Sequence, residues 1–230
     1  MDNVLICDDD KAIRDSVAIY LKMNGYNALT AENGQQAITC AEENKLSCII
    51  LDIMMPGTDG LAATLKLREK GNVPIILLSA KSEESDKITG LSFGADDYVT
   101  KPFSPMELMA RVKSAVRRYT SLGGAVSSDS VIVNGGLVLD ADAKTVSVDG
   151  ETKPLTATEY GIVEYLMKNM GKVLSTSQIY EAVWNEPSMS SEKTVTVHIR
   201  RIREKIEIDP KDPEYIKVVW GIGYKMEIIK

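Results

Sequence analysis

Acidic, hydroxyl and cationic residues follow separate apolar segments in the first half of the chain. Asp8 and Asp9 come directly after one segment and Asp52 after another, while Ser79 and Lys101 follow two more. Because the carboxyl ends of parallel strands meet at one edge of a sheet, these side chains are expected to converge. Carboxylates packed so closely repel one another unless a hard divalent cation that prefers oxygen ligands, Mg²⁺, joins them. The pattern predicts a magnesium site beside a lysine and a hydroxyl group.

Such a cluster is suited to phosphoryl transfer. Mg²⁺ and Lys101 would neutralise the phosphoryl oxygens while the Asp52 carboxylate attacks phosphorus and forms an aspartyl phosphate. The Ser79 hydroxyl would then bind a phosphoryl oxygen. Each aspartate taken alone is more typical of a solvated loop or a helix cap than of such a site, so the hypothesis depends on all the positions coinciding.

The elements that must position these residues alternate between strand-like and helical patterns. Strands are predicted at residues 4–7, 48–51, 74–78 and 98–99, with a weaker one at 27–30. This alternation is typical of a parallel sheet covered by helices on both faces. A segment rich in Gly and Ser, residues 121–130, predicts a flexible linker between domains at residues 1–120 and 131–230.

The residues after the linker follow a different pattern. Hairpins are predicted at residues 136–148 and 215–229, and helices at 156–169, 177–184 and 192–208. Strands, three helices and a closing hairpin are typical of an α+β winged helix with an N-terminal sheet. We call the last hairpin the wing.

Composition excludes several classes of protein. A net charge of -6, from 27 basic and 33 acidic residues, argues against binding nucleic acid or lipid by bulk charge, so any contact with DNA must be local. No apolar run approaches the roughly 18 residues of a membrane span, and no secretory signal is recognisable, which predicts a cytoplasmic protein without membrane contact. The three cysteines are interpreted as buried thiols, and a single histidine cannot build a His-rich metal site.

Positive charge is concentrated in the third predicted helix of the second half, which we call the basic helix. Its Val195, Ile199, Ile202 and Ile206 follow the spacing of one inward face. The residues expected to face outward are Lys193, Thr196, Val197, Arg200, Arg201, Arg203 and Glu204. Such a helix fits the major groove, where arginine reads guanine edges and other cations neutralise phosphates. A solvated cationic face on a structural helix is the alternative.

Four stretches of the first half resemble the receiver domain of two-component response regulators. They are VLICDDD at residues 4–10, LDIMMPGTDG at 51–60, LSA at 78–80 and GADDYVTKPF at 94–103. The resemblance implies an α/β flavodoxin-like fold with strand order 2-1-3-4-5. It also implies phosphorylation of Asp52 by a sensor histidine kinase, and a cis bond before Pro102. The implied Mg²⁺ ligands are Asp8, Asp9, Asp52 and the backbone carbonyl of Met54, and the implied switch residues are Ser79 and Tyr98.

The second half resembles the winged-helix domain of the OmpR/PhoB subfamily, through LTATEY at residues 155–160, VTVHIRRIREK at 195–205 and VWGIGYK at 219–225. The resemblance implies that phosphorylation promotes a symmetric homodimer through the fourth helix, fifth strand and fifth helix of the receiver. We call this surface, residues 87–118, the dimer face. Lys87 is expected to pair with Glu107, and Asp97 with Arg111, across the two-fold axis. The residues expected on this face are Lys87, Ile88, Leu91, Asp96, Asp97, Glu107, Ala110, Arg111 and Arg118.

The same resemblance implies that the dimer binds tandem promoter half-sites through the basic helix and the wing. Trp220 stands where many relatives have an arginine that enters the minor groove, which leaves Lys217 or Lys225 for phosphate contact. His198 is interpreted as a phosphate or backbone contact, and the loop at residues 184–191 as a surface for RNA polymerase. The residues expected at DNA are Lys193, Thr194, Thr196, Val197, His198, Arg200, Arg201, Arg203, Lys217, Trp220, Tyr224 and Lys225.

Two other functions compete with this one. A phosphohydrolase of the haloacid dehalogenase type would use Asp52 as its nucleophile but needs a second carboxylate two residues later, where Met54 stands. A phosphorylation-controlled protein-binding module would have the same pocket without affinity for DNA. The sequence favours a phosphorylation-activated transcription regulator that accepts a phosphoryl group on Asp52, with at most slow self-dephosphorylation.

Overall fold

The chain divides into two compact units, residues 1–119 and 120–230, in a computed structural model of the protein. The structure describes residues 1–79, 91, 93–120, 130–185 and 192–229. Of Glu192 it describes the backbone alone. Residues 121–129 of the expected linker and residues 186–191 of the expected polymerase loop lie outside the described residues, as do Lys87 and Ile88. Within the described part of the chain, no helix is both long enough and apolar enough to cross a membrane.

The first unit is a parallel sheet of five strands packed with helices. Its strands are β1 (Asn3–Cys7), β2 (Asn27–Ala31), β3 (Cys48–Asp52), β4 (Ile75–Ser79) and β5 (Asp97–Thr100). Its described helices are α1 (Lys11–Met23), α2 (Gly34–Glu43), α3 (Gly60–Lys70) and α4 (Pro105–Thr120). Helix α4 is the one expected above as the fifth helix of the receiver. The strand order β2-β1-β3-β4-β5 confirms the flavodoxin-like fold.

Apolar side chains cover both faces of this sheet. Ile6 and Ile50 pack in one cluster with Leu21 of α1 and Val112 of α4. Leu5 lies next to Ile6 in β1, points to the opposite face and is also fully buried. Because both faces are covered, each central strand is a nearly continuous apolar run and polar residues begin where the strand ends. This is how the fold gathers the acidic residues at one edge.

The second unit combines a four-stranded antiparallel sheet, three helices and a three-stranded sheet. Its strands are β6 (Val131–Asn134), β7 (Leu137–Asp140), β8 (Thr145–Val148), β9 (Glu151–Thr152), β10 (Val173–Ser175), β11 (Ile216–Val219) and β12 (Gly223–Met226). Its described helices are α5 (Ala157–Lys168), α6 (Thr176–Trp184) and α7 (Glu192–Ile206), the basic helix. The sheets have the orders β6-β7-β8-β9 and β10-β12-β11, and the second contains the wing.

This architecture confirms the winged helix and corrects its details. Strands β6, β9 and β10 were not predicted. Each has only two to four residues, and β10 pairs with β12 far along the chain, whereas β6 and β9 pair with their neighbours β7 and β8. The basic helix ends two residues earlier than its pattern suggests. Helix starts are better specified by sequence: Thr156 and Glu159 form a capping box at the start of α5, in which each side chain accepts from the other's backbone N–H.

Candidate functional site

The ends of the central strands bring the acidic residues together with a lysine. One carboxylate oxygen from each of Asp8, Asp9 and Asp52 lies within 4.8 Å of the others. The Lys101 Nζ lies 2.7 Å from Asp8 Oδ2 and 3.0 Å from Asp52 Oδ2. Ser79 is the buried last residue of β4, the strand beside β3. We call Asp8, Asp9, Asp52 and Lys101 the acidic pocket.

Electrostatic effects in the acidic pocket oppose one another. Burial raises the pKa of Asp52 above its ordinary value, although Lys101 acts to lower it. Burial alone would lower the pKa of Lys101, but hydrogen bonds to Asp8 and Asp52 outweigh it and the pKa is raised. The lysine therefore remains an ammonium ion, and one positive charge faces three carboxyl groups.

Asp52 has one oxygen engaged and one for which the described residues supply no hydrogen-bond partner. Its Oδ2 is held by Lys101, whereas no described residue forms a hydrogen bond to its buried Oδ1. A buried carboxylate oxygen without a partner is costly, and an oxygen-preferring cation would satisfy it. The residues present therefore fit Mg²⁺. The peptide bond before Pro102 is cis, as the resemblance implies.

Two residues that shape the acidic pocket were missed by sequence reasoning. Gly60 approaches the backbone after β3 so closely that a Cβ atom there would lie 2.1 Å from the carbonyl oxygen of Asp52. Its place in the GTDG stretch was the available signal. Arg14 of α1 is buried and donates hydrogen bonds to the carbonyl oxygens of Asp8 and Asp9. No sequence pattern separates such an arginine from a solvated one.

The structure corrects part of the expected dimer face. Leu91 is buried, so it contributes to the core and not to an exposed apolar patch. Asp96 is also buried: its carboxylate pairs with Arg68 of α3 and accepts a hydrogen bond from the Ile75 N–H at 3.0 Å. Asp96 therefore joins α3 to the start of β4 within the unit.

The expected pair of Asp97 and Arg111 forms within one chain. Arg111 Nη1 lies 2.9 Å from Asp97 Oδ2, and Nη2 lies 3.2 Å from Glu107 Oε1. Asp97 is buried at the start of β5, where α4 packs beside it, so its carboxylate is satisfied locally. Ala110 is exposed and Arg118 half-buried. The described part of the dimer face therefore presents mainly residues of α4.

The outward side of the basic helix is a narrow stripe. Lys193, Thr196, Arg200 and Glu204 are exposed and follow one another at intervals of three or four residues, so they share one face. The Arg200 side chain is 78% exposed and lies 3.2 Å from Glu204. Among the described side chains of the basic helix, these four are the exposed ones.

Three residues expected at DNA lie on the inward side. Val197 is 8% exposed, His198 is 0% exposed and Thr194 is also buried. The His198 ring lies 5.6 Å from the ring of Trp184 in the core. The inward face is wider than the predicted one because the basic helix packs against both α5 and α6. Val197, His198 and Thr194 are thus core residues in this structure.

Two arginines of the basic helix are tied to the protein. Arg201 lies 3.0 Å from the buried carboxylate of Glu159, which also pairs with Lys205 at 2.6 Å. Arg203 donates two hydrogen bonds to the carbonyl oxygen of Ile216, at 3.1 and 2.6 Å. Both arginines are half-buried, which corrects the expectation that they face outward. Sequence reasoning missed Glu159, whose capping-box spacing marks a helix start but not this second role.

The wing presents apolar groups at its tip. Trp220 is 88% exposed, and Ile222 beside it is exposed as well. The cations of the hairpin lie near acids: Lys225 is 2.5 Å from Glu227, and Lys217 is 3.9 Å from Asp212.

Tyr224 differs from the tip residues, because it is buried. Its hydroxyl forms a hydrogen bond with Thr196 of the basic helix at 3.3 Å. This hydrogen bond joins the wing to the basic helix.

Comparison with known proteins matches both units. The family model described as "Response regulator receiver domain" matches residues 4–113, and the one described as "Transcriptional regulatory protein, C terminal" matches residues 150–226. The regulatory protein VanR of Enterococcus faecium is 43% identical over 98% of this chain and 99% of its own. The stretches KITGL at residues 87–91 and YIKVVWG at residues 215–221 predict this similarity. The uncharacterized transcriptional regulatory protein YcbL of Bacillus subtilis is 41% identical over 96% of this chain and 99% of its own.

A solved structure extends the match to the whole fold. The crystal structure of the response regulator DrrB, an OmpR/PhoB homologue from Thermotoga maritima, covers 99% of both chains at 33% identity with a TM-score of 0.52. The family is one of transcription regulators rather than of enzymes. The acidic pocket, the winged helix and these full-length relatives together establish that the chain belongs to the OmpR/PhoB type of two-component response regulators, which regulate transcription in response to phosphorylation.

Proposed function

We propose that a sensor histidine kinase phosphorylates Asp52 in the cytoplasm and that the phosphoryl group controls self-association and promoter binding. The observation that carries this proposal is the state of the Asp52 carboxylate. It is buried at the end of β3, one oxygen is oriented by Lys101, and no described residue satisfies the other. An oriented carboxylate with an uncommitted oxygen is suited to nucleophilic attack.

For transfer of the phosphoryl group, the protein mainly has to orient the reacting groups and neutralise charge. A carboxylate oxygen of Asp52 forms a bond to phosphorus as the bond from phosphorus to the donor's imidazole nitrogen breaks, and that nitrogen keeps the electron pair. The Lys101 ammonium lies where it can neutralise a phosphoryl oxygen. When bound, Mg²⁺ supplies further positive charge to the phosphoryl oxygens, and Asp8, Asp9, Asp52 and the carbonyl of Met54 would hold it.

Ser79 and Tyr98 form the proposed switch. Register pairs Leu77 with Tyr98 and Ser79 with Thr100, so the side chains of Ser79 and Tyr98 lie on the same face of neighbouring strands. We propose that the Ser79 hydroxyl moves to bind a phosphoryl oxygen and that the half-buried Tyr98 ring turns inward behind it. This movement would carry the signal from the acidic pocket to β5 and the dimer face.

The dimer is proposed to form through the dimer face. Support comes from its described surface, where exposed Ala110 shares one side of α4 with side chains of both signs, Glu107 and Arg118. A patch that carries both signs is suited to a two-fold interface, because each charge meets its opposite on the partner. Exposed pairs contribute only about 0–1 kcal/mol each, so they would set register while apolar contact supplies affinity.

The dimer is proposed to place two basic helices on tandem half-sites of promoter DNA. The stripe of Lys193, Thr196 and Arg200 would enter the major groove, and the wing, with Trp220, would lie over the neighbouring minor groove. The loop at residues 184–191 is the proposed contact for RNA polymerase.

The test begins with phosphoramidate and Mg²⁺, followed by mass spectrometry of the intact protein. The wild type should gain one stable phosphoryl group on Asp52, dimerise in sedimentation experiments and bind promoter DNA more tightly. Asp52→Asn should lose all three responses, and Asp15→Asn, an exposed carboxylate of α1, should keep them.

Three outcomes would contradict the proposal. Labelling, dimerisation and DNA binding that persist in Asp52→Asn would remove its basis. Rapid turnover of phosphate esters would favour a phosphohydrolase. Absence of DNA binding even at low salt, where it should be strongest, would favour a protein-binding module.

A further inference from the structure

Arg14 connects the loop after β1 to the loop after β2. We call the first of these, residues 8–10, the acidic loop. The residue is only 7% exposed. Its Nη1 donates to the carbonyl oxygens of Asp8 at 2.7 Å and Asp9 at 3.0 Å, while its Nη2 donates to Glu32 Oε1 at 2.7 Å. Glu32 follows β2, so one planar guanidinium joins two loops of the edge at which the acidic pocket lies. A rigid fork of this kind orients the groups that it binds.

The carboxylates of the acidic pocket are not held equally. Asp8 accepts from the Asp10 N–H at 2.9 Å and from Lys101, and Asp52 is also held by Lys101. Asp9 is exposed, and none of the residues that the structure describes donates a hydrogen bond to its carboxylate. The position of the Asp9 carboxylate therefore depends on its backbone. Arg14 is the side chain that binds the carbonyl oxygen of that backbone.

We infer that Arg14 is a positioning residue for the acidic loop and that its hydrogen bonds to the Asp8 and Asp9 carbonyl oxygens set the affinity of the acidic pocket for Mg²⁺. This inference rests on the proposed function, because it takes the three carboxylates as ligands of the ion. Groups that orient metal ligands typically change metal affinity by about 10- to 100-fold when they are removed.

Positioning and simple electrostatics predict opposite results for this arginine. Arg14 carries a positive charge beside a cation site, so its removal should strengthen cation binding if charge alone matters. If its hydrogen bonds place Asp9, removal should weaken binding despite the favourable change in charge. The sign of the effect therefore separates the two roles.

The experiment measures Mn²⁺ binding to the full-length protein by electron paramagnetic resonance of the free ion, with Mg²⁺ as competitor. Arg14→Met should bind Mn²⁺ about 10-fold or more weakly. Arg14→Lys keeps the charge but cannot reach all three acceptors, and should also bind more weakly. Lys11→Met is the matched control: Lys11 lies on the same helix, is 77% exposed and, among the described residues, pairs with Asp15. The Mn²⁺ affinity of this variant should be unchanged or slightly higher.

Phosphorylation by phosphoramidate gives a second measurement. The rate for Arg14→Met should fall at low Mg²⁺ and recover at saturating Mg²⁺, since the nucleophile and Lys101 are intact. A merely structural role would lower the rate at all Mg²⁺ concentrations. Denaturation curves show whether each variant is folded, and if Arg14→Met is not, Arg14→Lys decides the question because charge alone predicts no change for it.

The outcomes of the Mn²⁺ binding experiment distinguish failure of the inference from failure of the proposed function. Tighter or unchanged Mn²⁺ binding in Arg14→Met, or wild-type affinity in Arg14→Lys, overturns the inference and leaves the proposed function intact. Absence of Mn²⁺ binding by the wild type contradicts the proposed metal site itself, and the inference falls with it. Weaker binding in both variants with an unaffected Lys11→Met supports the positioning role.

Discussion

In the acidic pocket three carboxyl groups meet one ammonium ion, whereas in the DNA-binding unit one buried carboxylate meets two cations. Glu159 is 0% exposed, pairs with Arg201 and Lys205, and accepts from the Thr156 N–H at 2.9 Å. Asp52 has a buried oxygen that no described residue satisfies. In the first arrangement one oxygen has neither a cation nor a hydrogen-bond donor among the described residues. In the second each oxygen lies beside a cation: Oε1 is 3.0 Å from Arg201, although outside hydrogen-bond geometry, and Oε2 is 2.6 Å from Lys205.

This difference teaches that a charged residue cannot be assigned a function from its type alone. Charges that the fold leaves uncompensated, such as those of the acidic pocket, are available to a metal ion or a phosphoryl group. Charges that the fold has already paired, such as those of Arg201 and Lys205, act mainly in stability. Five predictions test this contrast.

The largest effect is expected when the buried carboxylate loses its charge. Glu159→Gln should lower the free energy of unfolding of the DNA-binding unit by about 3–5 kcal/mol, because it leaves two cations beside a neutral group. Urea denaturation followed by tryptophan fluorescence reports this unit, since Trp184 is buried in it and Trp220 belongs to it. Glu164→Gln is the control, because the Glu164 carboxylate is partly exposed and pairs with Lys168 of the same helix. It should lower the free energy of unfolding by about 0–1 kcal/mol.

The same comparison has a defined pH dependence. Burial acts to raise the pKa of Glu159, but Arg201 and Lys205 outweigh it, so the pKa is lowered on folding. A carboxyl group of this kind stabilises fully above its unfolded pKa and loses that contribution as pH falls through the folded pKa. The difference between wild type and Glu159→Gln should therefore shrink only in acid. A constant difference down to strongly acidic pH would contradict the ionic role.

The next largest effect should separate two arginines of the basic helix. Arg200→Ala should weaken operator binding by about 1–3 kcal/mol with little change in stability, because the side chain is exposed. Arg203→Ala should instead lower the free energy of unfolding by about 1–3 kcal/mol, since two hydrogen bonds to Ile216 are lost. Fluorescence anisotropy with operator DNA and urea denaturation measure the two quantities. Equal effects of both substitutions on both quantities would remove the distinction.

A smaller effect is expected at the wing. Trp220→Ala should weaken operator binding by ~1 kcal/mol, because apolar contact with the DNA is lost and each Å² of buried apolar surface contributes about 25 cal/mol. The slope of log affinity against log salt should stay the same, because no charge is removed. Trp220→Arg should make that slope steeper by about one unit. Ile208→Ala, an exposed apolar residue after the basic helix, is the control and should bind normally.

The smallest effect concerns repulsion in the acidic pocket. Without metal, Asp9→Asn should stabilise the receiver unit by about 1 kcal/mol, because one of three converging negative charges is lost. With Mg²⁺ the order should reverse, since the wild type gains more from the ion. Circular dichroism during urea denaturation, with and without chelator, gives both values. Asp15→Asn, whose carboxylate pairs with Lys11, should show no reversal.

The acidic pocket was easier to predict than the DNA-binding surface for a physical reason. Asp8, Asp52 and Lys101 lie at or just beyond strand ends, and the topology of a parallel sheet decides where strand ends meet. Val197 and His198 lie within a helix, where exposure depends on which neighbours pack against each side. Periodicity finds one inward face but does not give its width.

The sequence by itself determined the alternation of strands and helices, the convergence of acidic residues and the location of the basic helix, because these depend on local patterns and on a small set of allowed topologies. Only the tertiary structure decided that Arg14 holds the acidic loop, that Glu159 binds two cations and that Asp97 pairs with Arg111 in the same chain. These contacts join residues from separate elements, and their energies depend on distance and burial, which exist only once the chain has folded.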